Sequence, residues 1–151
     1  DRFMMRVDVD YPSEDIEHKI ATKPSGELRL AAILDAEKVM AVQKLVDEIS
    51  LGEDFSRACI RIVRKFRPKS PDSPDHVKLN VEREASLRAS TAFVRAAKTL
   101  ALIEGRQHPD MTDIKRIAPV ILRHRLTMKN PYDDQIFDQT VAKVLLEFGI
   151  K

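Results

Sequence analysis

The sequence predicts a mainly α-helical fold, a helical bundle preceded by one β-strand. Three observations carry that expectation. Several stretches place apolar residues three and four apart, as one face of a helix requires. Most of these stretches open on Ser or Asp, whose side chains cap helix N-termini. The longest strand-like alternation is residues 3–9, where Phe3, Met5, Val7 and Val9 oppose Met4, Arg6 and Asp8. A lone strand leaves backbone groups unpaired, so the rest of its sheet is expected to lie outside this chain. The chain opens at Asp1, without methionine, directly in that pattern, as a piece cut from a longer protein would.

The elements follow in order. Tyr11-Pro12-Ser13 ends the strand, and Ser13 caps a helix with Glu14 and Asp15 in its first turn and Ile16 and Ile20 on a narrow seam. Pro24-Ser25-Gly26 stops it, and residues 28–34 are a short apolar run. Asp35 caps a helix over 36–49, with Val39, Val42, Val46 and Ile49 on one stripe. Helix 53–67 turns Phe55, Cys59, Ile62, Val63 and Phe66 inward, and Arg57, Arg61, Arg64 and Lys65 outward. Residues 68–76 hold three prolines and read as a mobile loop; Val77 to Val81 read as a short extended piece. Ser86 caps helix 86–104, whose stripe of Ala89, Phe93, Ala96, Ala97 and Leu100 lets a neighbouring helix approach closely. Gly105 suits the left-handed position after that helix. Asp110 caps a helix over 110–126, with Ile114, Ile117, Ala118 and Ile121 inward and a kink or break expected at Pro119. A last amphipathic helix covers about 133–148.

Composition excludes several classes. The 151 residues are 43% hydrophobic and 33% charged, which suits one globular domain. A net charge of +2 does not by itself call for nucleic acid. Cys59 is the single cysteine, so no internal disulfide forms, and its place on an apolar stripe predicts a buried, inert thiol. A reducing, cytoplasmic location is expected. No apolar run approaches the ~20 residues of a membrane span. The glycines (Gly26, Gly52, Gly105 and Gly149) open no phosphate-cradling loop.

His18, His76, His108 and His124 have no second ligand at helical spacing, so no metal site is expected. Asp133-Asp134 precede a helix and suit capping better than acid–base work. Two basic patches, 57–69 and 123–129, allow a helical nucleic-acid-binding or adaptor module as an alternative function. The first lacks the interleaved aromatics of a stacking platform, so a solvated face is the simpler reading. Arg123-His124-Arg125 could contact phosphate or complement a helix C-terminus. Arg88 and Arg95, seven residues apart, share a face with Thr91 and Thr99 nearby. A polar surface face explains them. An anion site does so too, because a guanidinium in a first helical turn lies beside free backbone N–H groups.

Taken in order, these segments resemble a family. Asp1-Arg2-Phe3, Tyr11-Pro12-Ser13 and Ala85-Ser86-Leu87-Arg88-Ala89-Ser90 come first. Arg95-Ala96-Ala97-Lys98, Glu104-Gly105-Arg106 and Thr112-Asp113-Ile114-Lys115 follow, and Ala118 to Leu126 closes the series. Together they resemble the C-terminal part of a MoxR-type AAA+ ATPase. The resemblance implies that residues 1–10 are the last strand of a nucleotide-binding core, 11–126 a helical lid, and 127–151 a C-terminal extension. It implies that Arg88 is the sensor 2 arginine, touching ATP phosphates from the lid. It implies that Arg2 is an arginine finger reaching a neighbouring subunit's nucleotide. The whole protein would use ATP and Mg2+, form a ring, commonly a hexamer, and remodel or chaperone partners, often von Willebrand A domain proteins. The phosphate loop, the acid that follows it and the first sensor are absent here, so the chain alone is expected to be inactive. The sequence departs from the family at Glu84, where a glycine is usual, and at Leu87, where a proline is usual. Leu87 keeps helical geometry, and the Glu84 carboxylate is a candidate partner for Arg88.

Overall fold

A computed structural model of the chain describes residues 2–22 and 31–150. Asp1, the expected stop at Pro24-Ser25-Gly26 and the first part of the apolar run, residues 28–30, lie outside them. The described residues hold seven helices and one small pair of strands. In order these are α1 (Glu14–Thr22), α2 (Ala36–Glu48), α3 (Glu53–Lys65), α4 (Asp75–Asn80), β1 (Val81–Arg83), α5 (Leu87–Ile103), α6 (Met111–Leu122), β2 (Thr127–Met128) and α7 (Asp134–Glu147). The mainly helical bundle expected from periodicity is what forms.

One core joins α3 to α7. Cys59, Ile62, Val63 and Phe66 of α3 meet Ala89, Phe93 and Ala97 of α5, Ile114, Ile121 and Leu122 of α6, and Val141, Val144 and Leu145 of α7. The alanine stripe of α5 buries Ala89, Ala92, Ala96, Ala97 and Ala101, whose small side chains admit α6 at close range. Burial pushes the Cys59 thiol up to about 12, so it is the inert core residue its stripe position implies.

Caps fall where side-chain chemistry puts them. Ser86, Asp35 and Asp133 each accept a backbone N–H at the start of their helices. Asp110 and Asp113 form a reciprocal capping box at α6. Gly105, at φ +69°, ends α5 with Arg106 N–H on Ala101 O at 2.8 Å and Gly105 N–H on Leu102 O at 3.0 Å. This is the paired-bond ending that a left-handed residue permits.

Residues 3–9 lie along α6, with Arg6 N–H on Val120 O at 2.8 Å, and pair with no strand among the described residues. Three expectations change. The 77–81 piece is α4 followed by the first residue of β1, because Val77 and Val81 are buried one helical turn apart while Leu79 is 71% exposed. The 110–126 helix ends at Leu122. It passes through Pro119 without stopping, and the following turn delivers the chain to β2. β2 pairs antiparallel with β1, Val81 opposite Met128 and Arg83 opposite Thr127. The stretch after 126 therefore has no core of its own. Met128, Phe137, Val141, Val144, Leu145 and Ile150 all belong to the shared core, and Asn80 Nδ2 donates to Thr140 Oγ1 of α7 at 3.1 Å.

Of the expected proline-rich loop 68–76, residues 68–74 are built from turns and Asp75 and His76 open α4. Ser73 is buried within it, and its hydroxyl donates to Lys65 O at 2.9 Å. α1 and α2 stand apart from the core: α1 buries no residue and α2 only Val46. Among the described residues no helix is long and apolar enough to cross a membrane.

Candidate functional site

The site is built at the start of α5. Ser86 accepts the Arg88 N–H at 3.2 Å, which fixes the first turn and aims the Arg88 side chain off the surface. Arg88 is exposed, and its guanidinium has no hydrogen-bond or ion-pair partner among the described residues. No pair forms with Glu84. The free amides expected beside it are fewer than the sequence suggests. Ser86 Oγ takes the Arg88 N–H, and Ser86 O takes the Ala89 N–H at 3.0 Å. The donor on offer here is therefore the guanidinium more than the helix end.

Around Arg88 lies a cleft of about 240 Å³ lined by Arg2, Met4, Arg88, Thr91, Ala92, Arg95 and Arg125. Four guanidiniums line it and, among the described residues, no carboxylate does. A cleft of one charge sign raises the local concentration of counter-ions, and planar guanidiniums match the oxygens of phosphate. Arg2 and Arg88, read from sequence as acting on different nucleotides, both border this one cleft. Arg95 joins them from the same face of α5, one turn pair further on, as its spacing implies.

Arg125 was legible in sequence only as part of a basic triplet. It is 7% exposed. Its Nη1 donates to Met4 O at 2.8 Å and Ile121 O at 3.0 Å, and its Nη2 to Phe3 O at 2.6 Å. Burial, and then the nearby Arg88 charge, lower its pKa. His124 Nε2 lies 3.0 Å from the same Phe3 carbonyl and must donate to it, which leaves Nδ1 as the acceptor, buried without a hydrogen-bond partner. Arg123 is held by α7: Nη1 donates to Asp134 at 3.1 Å, Nη2 to Asp138 at 2.6 Å, and its guanidinium stacks 4.5 Å from the Phe137 ring centroid. The triplet thus divides: Arg123 turns to α7, while Arg125 holds a carbonyl of the last turn of α6 and borders the cleft.

Part of the rest of the two basic patches is engaged. Arg57 pairs with Glu53 at 2.6 Å, Lys65 with Glu147 at 3.4 Å, and Lys129 donates to Lys78 O at 2.9 Å. Arg61 and Arg64 line a separate groove of about 350 Å³ that also holds Asp72 and Glu147. Among the described residues no group of His, Cys, Asp or Glu side chains could hold a metal ion.

A second charged cluster, missed by sequence reading, closes the α5–α6 loop. Arg106 donates to the buried Asp113 at 2.6 and 3.0 Å, to Glu104 at 2.7 Å and to Asp110 at 3.2 Å, while Arg116 pairs with Glu104. The signal lay in Glu104-Gly105-Arg106 and the Asp110/Asp113 pair, which spacing alone did not bring together.

Comparison with known proteins agrees with this architecture. The AAA lid domain family matches residues 75–144. Chaperone MoxR1 of Mycobacterium tuberculosis is 29% identical over 155 aligned residues, covering 97% of this chain and 40% of that protein. The uncharacterized protein YeaC of Bacillus subtilis is 25% identical, covering 85% of this chain and 38% of its own length. A crystal structure of a candidate ATPase from Cytophaga hutchinsonii superposes with a TM-score of 0.78 over 96% of this chain and 46% of that one; at 21% identity it shows the shared fold. The chain thus spans about two-fifths of the curated relatives it matches. The lid match, the MoxR relative and the shared fold agree with the ordered segments around Arg88: the chain carries an AAA lid domain over residues 75–144 and is similar to the C-terminal part of MoxR-type AAA+ ATPases.

Proposed function

We propose that this chain is the nucleotide-sensing lid of an ATPase that remodels or chaperones partner proteins, with Arg88 as its phosphate sensor. One observation carries the reading: Arg88 stands unpaired among the described residues, at the first turn of α5, on a cleft lined by arginines and no acid. A cation left without a partner in such a place is stabilised by an anion, and a triphosphate supplies one. The cleft residues fit phosphate groups. They do not fit Mg2+, since no carboxylate among the described residues lines the cleft. ATP and Mg2+ belong to the whole protein in this reading, as do a ring of subunits, a cytoplasmic location and von Willebrand A domain partners.

Arg88 in cis would hold the lid against the terminal phosphate and register its loss as a lid rotation. Arg2 would act in trans, stabilising charge on the phosphoryl group held by an adjacent subunit. Both effects are electrostatic and positional. In the full-length protein, Arg88→Ala is expected to impair hydrolysis. Arg2→Ala is expected to lower turnover by roughly 10³-fold, the scale of a lost arginine finger, with nucleotide binding retained. Steady-state turnover alongside equilibrium nucleotide binding tests both, and wild-type turnover in both variants contradicts both assignments. The alternative, a nucleic-acid module, gains no support from the relatives, and within the basic patches Arg57, Lys65 and Arg123 already pair with acids of the chain.

A further inference from the structure

The end of α6 grips the N-terminal segment at four points. Val120 O accepts the Arg6 N–H at 2.8 Å, His124 and Arg125 hold the Phe3 carbonyl, and Arg125 also holds Met4 O. Arg123 Nε lies 3.8 Å from Asp8. The Phe3 side chain is 79% exposed, so the hold on this stretch is largely polar and made through backbone carbonyls. Arg125 is the buried member of the grip and the one that reaches two successive carbonyls.

We propose that Arg125 is a positioning residue: its guanidinium, fixed at the end of α6, clamps the Phe3 and Met4 carbonyls and thereby sets where Arg2 stands. The inference rests on the reading of Arg2 as the arginine finger. Consecutive Cα atoms are about 3.8 Å apart, so a clamp on residue 3 leaves residue 2 little freedom. A planar fork can bond two carbonyls at once; an ammonium is a point charge and holds that geometry less well. α5 and α6 pack against each other along the alanine stripe, so a movement of Arg88 with α5 carries Arg125 along. The state of the phosphate read by one subunit would then be passed to the finger aimed at the next subunit's nucleotide. An anion entering the cleft would also relieve the repulsion between Arg88 and Arg125.

The test uses the full-length protein with Arg125→Lys and Arg125→Met, each alone and combined with Arg2→Ala. Turnover and KM for ATP are measured, together with amide hydrogen exchange over residues 3–6. The clamp predicts that Arg125→Met lowers kcat by roughly 10²-fold, the scale of an ångström-sized misplacement, with KM little changed. Arg125→Lys should recover part of that loss. Arg2→Ala should cost little more in the Arg125→Met background, because the two act as one unit. Exchange over residues 3–6 should quicken while the unfolding midpoint holds. Should Arg125→Met fail to fold, Arg125→Lys carries the same comparisons. Wild-type kcat in both Arg125 variants, or losses from Arg2 and Arg125 that multiply independently, would overturn the proposal. Unchanged turnover in Arg2→Ala alone overturns the finger reading, and unchanged exchange over residues 3–6 separately overturns the clamp.

Discussion

Charge at single residues is spent in two ways in this chain. At the α5–α6 loop it is neutralised: Arg106 binds three carboxylates, and Asp113, almost fully buried, receives two of its bonds. In the cleft it is left open, at Arg88. The closed cluster has a pH signature. Hydrogen bonds from Arg106 and then Arg116 hold the Glu104 carboxyl below its ordinary 4.5, and the Thr112 hydroxyl holds Asp110 below its ordinary 3.8. A carboxyl whose pKa is depressed by folding stabilises the fold fully above its unfolded value and loses that contribution as pH falls through its folded value. The thermal midpoint of the chain is therefore expected to be level above about pH 5 and to fall as pH drops below 4.5 and on past 3.8. Glu104→Gln should flatten the upper part of that fall. A midpoint that rises on acidification would contradict the assignment.

At the scale of elements, helices with a full turn of pattern and a chemical cap could be read from sequence. Ser86, Asp110 and Asp133 cap where expected, and the inward stripes of α3 and α5 are buried except at Phe55 and Leu100, which are half-buried. What escaped was short or ambiguous. Strands of three and two residues carry no readable period, and β1 finds β2 only after α5 and α6 have folded back between them. Val77, Leu79 and Val81 alternate like a strand, yet Val77 and Val81 are also one helical turn apart, and packing chose the turn. The candidate site was legible at Arg88 through its cap. The role of Arg125 was not, because its partners are carbonyls some 120 residues away in the chain. Close packing of α5 makes a prediction of its own. Ala97 is fully buried, so Ala97→Leu overpacks the core and should cost about 1–3 kcal/mol. Leu87→Ala, at an exposed position, should stay within about 0.5 kcal/mol. Denaturant unfolding of both variants checks the contrast, and equal effects would contradict the packing described.

The whole molecule is a lid with one finished core and one unfinished side. α3 to α7 close on themselves, whereas Ile16 and Ile20 of α1 and Val39, Val42 and Leu45 of α2 remain exposed among the described residues. The cleft is unfinished in the same sense, since it offers guanidiniums on one side of a phosphate. In the proposed reading, sensing belongs to the lid moving as a body, and Arg88 would be the contact through which a phosphate biases that movement. The most direct measurement is the distance between a label on α7 and one on the nucleotide-binding core of the full-length protein, with and without ATP, in the wild type and in Arg88→Ala. The distance is predicted to change on ATP binding in the wild type and to stay at its nucleotide-free value in Arg88→Ala at saturating nucleotide. An ATP-driven change of the same size in Arg88→Ala would contradict the account.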